Sequence, residues 1–205
     1  MKQIKVDGMF WFIINKIFGL KNRLYNVFIF HRKDIFIRYP AKLSGIKYMR
    51  IGKNFSTGRF LILEAIYNYN GIDYSPQLII KDNVRINESI HIGCTNYIEI
   101  GNNVTIGSKS FISDHNHGIY TGEKQTSPLI RPALRELTCD AKVIIGDNTW
   151  IGENVAILPN VSIGKGCIIG AGSIVTKDIP DYSIAVGNPA KVIKKFNKKT
   201  QKWER

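Results

Sequence analysis

Residues 143–178 read VIIGDN TWIGEN VAILPN VSIGKG CIIGAG SIVTKD, six consecutive hexads with an aliphatic side chain at the third place of each: Ile145, Ile151, Ile157, Ile163, Ile169 and Val175. Glycine follows four of these six, and the places two residues earlier hold Val143, Thr149, Val155, Val161, Cys167 and Ser173, all compact or β-branched. A helix repeats every 3.6 residues and a strand every 2, so neither alone has this period. Six residues per step describes a short extended run and then a turn, repeated in register, with one side chain per hexad aimed at a common interior. Aliphatics six apart also suit ordinary alternating strands. The unbroken phase and the recurrent Ile-Gly step favour a parallel β-helix over an antiparallel sandwich. Gly, Asn and Asp are expected at its corners, where unusual backbone angles are tolerated.

Upstream, the same phase runs through Ile80, Ile86 and Ile92, slips by two residues, and resumes at Ile100, Ile106 and Ile112. A weaker version begins near Met49 and Ile51. The step from Ile112 to Ile145 is 33 residues, which six does not divide, and it contains the breakers Gly118, Gly122, Pro128 and Pro132. A solenoid must expel such a stretch, about 114–141, as a loop, and loops leaving a rigid stack are common places for chemistry. The expected layout is an N-terminal appendage over 1–40, the all-β solenoid over 41–187, and a basic tail over 188–205 that caps the end as a short helix.

A chain of 205 residues with 44% hydrophobic content forms one or at most two compact domains. Its formal net charge of +13 draws anions: phosphates, acidic polymers or anionic lipid headgroups. The lysines lack interleaved aromatics on a known reader motif, which sets nucleic acid aside. Cys94, Cys139 and Cys167 are odd in number and outside any CxxC pairing, so a reducing, cytoplasmic setting is the simpler reading. The apolar stretch GMFWFIIN, residues 8–15, is interrupted by Lys16, Lys21 and Arg23, too early for a membrane span of roughly 20 residues. Asp7 precedes it and no small-residue cleavage site follows, which argues against a signal peptide. It reads as an amphipathic helix packed on the body or on a neighbouring subunit, or lying in a membrane plane with Phe10, Trp11, Phe12 and Ile13 inserted. The seven basic residues between Lys191 and Arg205 suit a solvated cap or an anionic surface.

The ending NTWIGENVAILPNVSIGKGCIIGAGSIVTKDIPDYSIAVGNPAKVIKK, residues 148–195, resembles that of the hexapeptide-repeat acyltransferases, including the maltose, galactoside and antibiotic O-acetyltransferases. The likeness covers roughly 45–195, and SDHNHG, residues 113–118, is most similar to bacterial enzymes that acetylate O-antigen, capsule or exopolysaccharide sugars. The resemblance implies a left-handed, three-faced parallel β-helix, an exception to the right-handed crossover rule. It also implies a homotrimer with active sites between subunits, acetyl-CoA as donor, and a saccharide acceptor that is free or lipid-linked.

Transfer of acetyl from a thioester to a sugar hydroxyl needs a base, and an imidazole of ordinary pKa about 6.5 serves without a covalent intermediate. The histidine that matches the family's base is His115. Asp114 could orient that ring, although a turn-forming role for SDHN is equally open. Asn87 matches an asparagine at the reacting centre, with a corner amide as its rival role. His117 is then either an acceptor ligand or a loop contact, and Arg135 an acceptor contact. Trp150 matches an indole beside the donor channel, unless it merely packs between subunits. Gly152, Ala171, Thr176, Lys177, Lys191 and Lys194 match positions that receive CoA; at the last two, relatives often carry arginine, and lysine gives point-charge contact without a bidentate fork. A zinc site needs a third imidazole beside His115 and His117, from His31 or His91, and is disfavoured. Sugar N-acetyltransferases and small-molecule acetyltransferases share this fold, and remain alternatives.

Overall fold

The computed structural model describes residues 8–138 and 140–205, so Cys139 and Asp7 lie outside the described residues, as do the side chains of Phe10, Trp11, Phe12 and Ile13. A helix, α1, spans Gly8–Phe30. From Ile35 onward the chain winds through three parallel sheets in strict rotation. The first face holds Ile35–Phe36, Phe55–Thr57, Arg85–Ile86, Thr105–Ile106, Trp150–Ile151, Ile168–Ile169 and Ser183–Val186. The second holds Ala41–Ser44, Leu61–Ala65, His91–Cys94, Phe111–Ser113, Ala156–Ile157 and Ile174–Val175. The third holds Met49–Ile51, Gln77–Ile80, Tyr97–Ile100, Lys142–Ile145 and Val161–Ile163. Each turn of the solenoid therefore adds one short strand to every face, which is the parallel β-helix expected from the hexads.

The interior is the column of residues picked out by the period. Ile100, Ile106, Ile112, Ile145, Ile151, Ile157, Ile163, Ile169 and Val175 are all at most 1% exposed. The compact positions two residues earlier, Val143, Thr149, Val155, Val161, Cys167 and Ser173, are buried beside them. Cutting Ile106 to alanine leaves a hole that stacked coils on both sides hold open, so we expect a loss of about 2–5 kcal/mol, read as a lowered denaturant midpoint.

The corners hold the asparagines and glycines expected there, Gly166 and Gly172 among them with φ of 65° and 71°. Glycines that follow the interior isoleucines do not carry the unusual backbone angle; that falls two residues further on, at Asn83, Asn103, Asn148, Asn154 and Asn160 with φ of 53–62°. These glycines are required because coils stack too closely for a side chain: a Cβ on Gly146 would stand 2.5 Å from the backbone nitrogen of Lys165. At one corner Asn54, Asn83, Asn103 and Asn148 form a ladder of amide bonds of 2.9, 3.1 and 3.0 Å, each Nδ2 donating to the next Oδ1.

The tail corrects an expectation. It is no helical cap but an antiparallel pair, Lys191–Asn197 and Lys202–Glu204, that extends the first face from Ser183–Val186. Val192, Ile193, Phe196 and Trp203 are strand formers, the last strand of the solenoid offers an open edge, and the Phe196 and Trp203 rings meet at 5.3 Å across the pair. Asn197 Oδ1 accepts from the Lys199 and Thr200 amides and closes the turn.

One side of α1 docks on the first coil, where the buried Asn26 amide donates to the Ile37 carbonyl at 2.9 Å. Ile17, Leu20, Leu24 and Phe28 form an exposed stripe on its other side. Among the described residues no helix is long and apolar enough to cross a membrane.

Candidate active site

Two segments leave the solenoid at the corner between the second and third faces. One is the stretch 114–141; the other is a small hairpin, Asn68–Tyr69 with Ile72–Asp73, turning at Asn70–Gly71. The two excursions are tied together. Tyr69 Oη and Asn70 Nδ2 both donate to the Ala133 carbonyl at 2.9 and 2.6 Å, and Tyr74 Oη accepts from the Leu137 amide at 3.1 Å. Between them and the second face lies a cavity of about 520 Å³, with Glu64, Tyr67, Tyr69, His91, His115 and His117 on its wall.

The two-residue slip after Ile92 proves to belong to this site. It makes a wide turn at residues 95–97, and its three amides would be orphaned by burial. The fully buried Asp114 carboxylate accepts all three: Oδ1 from Thr95 N at 2.8 Å, Oδ2 from Asn96 N and Tyr97 N at 2.8 Å each. Oδ1 also lies 3.0 Å from His115 Nδ1. Burial acts to raise the Asp114 carboxyl, but the bonds from His115, Thr95 and Asn96 outweigh it and hold the group below the usual carboxylate range. An ionised carboxylate only accepts, so Nδ1 carries the imidazole proton and Nε2 is left as the basic nitrogen. Asp114 thus both caps a turn and orients the ring, the two roles that the sequence left open.

Glu64 and His91 from the second face complete the wall. His91 Nε2 lies 3.2 Å from Glu64 Oε2, and Lys42 Nζ lies 2.6 Å from Glu64 Oε1. Between the two imidazoles Gly93 contributes no side chain: a Cβ there would meet His115 Cε1 at 3.1 Å, with His115 Nε2 and His91 Nε2 each 3.8 Å away. Gly93→Val therefore displaces the His115 ring, and we expect turnover to fall at least about tenfold with the melting temperature little changed, since the added methyls point outward from the core.

Of the other predicted residues, His117 is at the cavity, exposed, with Nδ1 3.5 Å from Tyr69 Oη. Arg135 spends its guanidinium inside the loop, donating to the Ile130 and Pro128 carbonyls and to Tyr120 Oη. Asn87 stands exposed at the corner between the first and second faces, its amide bonded to the Ile106 carbonyl at 2.9 Å. Trp150 is 56% exposed on the first face. Gly152 and Ala171 follow on adjacent coils of that face, and Lys191 and Lys194 lie on the added strand. Thr176 and Lys177 leave the second face at the same corner as His115, two strands further along. Within one chain, then, His115, Asp114 and His117 come together, while Asn87 and Trp150 stand elsewhere on the solenoid. Glu64 and the tyrosines were not singled out as site residues, and His91 only as a third imidazole for the disfavoured zinc site; the Asn70–Gly71 turn signal would have found the hairpin that carries Tyr69. Among the described residues no group of three or more His, Cys, Asp or Glu side chains is placed to hold a metal ion.

Residues 142–177 match the family model described as bacterial transferase hexapeptide (six repeats). Over 178 residues the chain is 38% identical to the "Putative lipopolysaccharide biosynthesis O-acetyl transferase WbbJ" of Escherichia coli strain K12, covering 86% of this chain and 87% of that protein. Among solved structures it is similar to AntD, an N-acyltransferase from Bacillus cereus in complex with dTDP-4-amino-4,6-dideoxyglucose and coenzyme A, with a TM-score of 0.63, 24% identity, and coverage of 82% of this chain and 83% of that one. It is also similar to the hexapeptide-repeat acetyltransferase VCA0836 of Vibrio cholerae complexed with acetyl coenzyme A, with a TM-score of 0.52, 20% identity, and coverage of 89% and 85%.

Proposed function

Because this chain belongs to the bacterial hexapeptide-repeat acyltransferases, we propose that it moves acetyl from acetyl-CoA to a hydroxyl of a surface-polysaccharide sugar, in an O-antigen, capsule or exopolysaccharide unit. One observation carries the reading: a buried carboxylate fixes Nδ1 of His115 and leaves Nε2 as a base at the wall of a cavity large enough for a sugar ring. The hydroxyl oxygen attacks the thioester carbonyl as Nε2 takes its proton. The C–S bond then breaks, and the imidazolium returns the proton to the departing thiolate. Asp114 stabilises the imidazolium without taking the proton itself. Asn87 or a backbone N–H, contributed by a neighbouring copy, would face the oxyanion.

The donor is received by Trp150, Gly152, Ala171, Thr176 and Lys177, with Lys191 and Lys194 near its phosphates. Trp150 and His115 occupy different faces of one solenoid, which supports a homotrimer whose active sites join His115 of one copy to Trp150 of the next. A cytoplasmic location at the inner membrane face goes with this reading. The exposed stripe on α1, with Lys21 and Arg23 beside it and no acid between Gly8 and Phe30, supports peripheral contact with anionic headgroups. Removing residues 1–30 should abolish co-sedimentation with anionic vesicles; binding that ignores both the deletion and the lipid charge overturns that contact.

Thiol release from acetyl-CoA, run against a panel of saccharides with mass analysis of the products, tests the function. An alkali-labile acetyl ester is expected. An alkali-resistant amide would move the protein to the N-acetyltransferases, and failure of every saccharide to stimulate thiol release would overturn the proposal.

A further inference from the structure

The second face carries a rung of outward-pointing positions on successive coils: Ser44, Glu64, Gly93 and Ser113, paired in register. Gly93 is a gap in that rung. At about 4.8 Å per strand, the Glu64 and Ser113 backbones stand about 10 Å apart across it, room for one sugar ring edge. His115 leans over the gap from one side and Glu64 faces it from the other. Glu64 is not free to swing: Lys42 holds Oε1 and His91 holds Oε2, leaving lone pairs on each oxygen for a further donor. Tyr69 and Tyr67, whose ring carries Lys47 Nζ at 5.2 Å from its centroid, also line the cavity, and the electron-rich face of a tyrosine ring suits the C–H face of a pyranose.

The charge of this cavity runs against that of the protein. The chain carries a net +13, yet among the described residues no lysine or arginine lines the cavity, and Glu64 is its carboxylate. The Lys42–Glu64 pair is neutral, so a uronate or phosphate placed there finds no unpaired lysine or arginine among the lining residues, a desolvation cost with no return. An ammonium gains little, because Lys42 already neutralises Glu64.

Resting on the acetyl-transfer reading, we infer that the ring entering this cavity is an uncharged pyranose. Glu64 accepts a hydrogen bond from the hydroxyl next to the one that His115 deprotonates. The phosphates of any nucleotide or lipid carrier stay outside the cavity, toward the basic surface. Glu64 is a specificity-determining residue, set opposite the base by the missing side chain at Gly93.

The test uses the full chain, with methyl hexopyranosides and the matching methyl hexuronates as probes, followed by saturation-transfer NMR and by thiol release from acetyl-CoA. The neutral sugars should bind and react at least about tenfold better than the uronates. Glu64→Gln should raise the acceptor KM about ten- to hundredfold, with the acetyl-CoA KM unmoved, as expected for one lost hydrogen bond to a charged group. Tyr67→Ala, at an exposed position outside the core, should raise the acceptor KM in the same way. Equal or better use of uronates or amino sugars overturns the inference while leaving acetyl transfer in place, and so does an acceptor KM unchanged in both variants. Failure of every saccharide to stimulate thiol release overturns the acetyl-transfer reading and the subsite with it.

Discussion

Replacing His115 by alanine should lower turnover about 100- to 10,000-fold at saturating acetyl-CoA, the range typical for loss of a general base, the role proposed for it. CoA affinity should stay within about twofold: of the residues proposed to receive CoA, Trp150, Gly152, Ala171 and the tail lysines lie on other parts of the solenoid, and Thr176 and Lys177 stand two strands away from His115 along its corner. The two readouts are steady-state thiol release and equilibrium CoA binding. His117 cannot substitute. It is exposed and its Nδ1 sits 3.5 Å from Tyr69 Oη, with no buried carboxylate to settle its tautomer, whereas the His115 side chain is 12% exposed and held from behind. His117→Ala should therefore cost far less than His115→Ala. Turnover retained in His115→Ala, with the acceptor bound normally, would move the base elsewhere.

The repeat was legible because a solenoid buries the same position of every hexad, and Ile145 to Val175 repeat without interruption. The expelled loop was legible for the converse reason, since 33 residues cannot fit a period of six. Side-chain direction within the loop was not: SDHN reads equally as a turn or a dyad, and only the position of the 95–97 amides decides that Asp114 serves both. The slip at Ile92 was read without a role, and the Asn70–Gly71 turn was not read at all. They are two parts of one cavity, because each alters the same corner on neighbouring coils. Glu64 and His91 face outward, where the hexad pattern carries no constraint, and their alignment with Gly93 depends on the inter-coil register. The tail misled because its lysines satisfy a solvated helix as well as a strand; the open edge at Ser183–Val186 breaks that tie.

Asp114→Asn should disable the enzyme out of proportion to the stability it costs. The amide can place its oxygen at either carboxylate position. With oxygen at the Oδ2 position it still accepts from Asn96 and Tyr97, and its NH2 group then faces Thr95 N and His115 Nδ1. With oxygen at Oδ1 the NH2 group confronts two backbone N–H donors instead of one, so the first orientation is favoured. That orientation donates to Nδ1, drives the imidazole proton onto Nε2, and removes the base without moving the ring. Turnover then falls about 100- to 10,000-fold, while one unsatisfied buried amide costs about 1–3 kcal/mol. Asp114→Ala orphans all three amides and should destabilise more. The pH dependence separates the two effects. In the wild type the lowered Asp114 value contributes stability that is fully present above the ordinary aspartate pKa of about 3.9, and lost as pH falls through the folded value. The gap in stability between wild type and Asp114→Asn should therefore narrow below about pH 4. Imidazole nitrogen-15 shifts that report a proton on Nδ1 in both proteins would refute the tautomer argument, and with it the role assigned to the carboxylate.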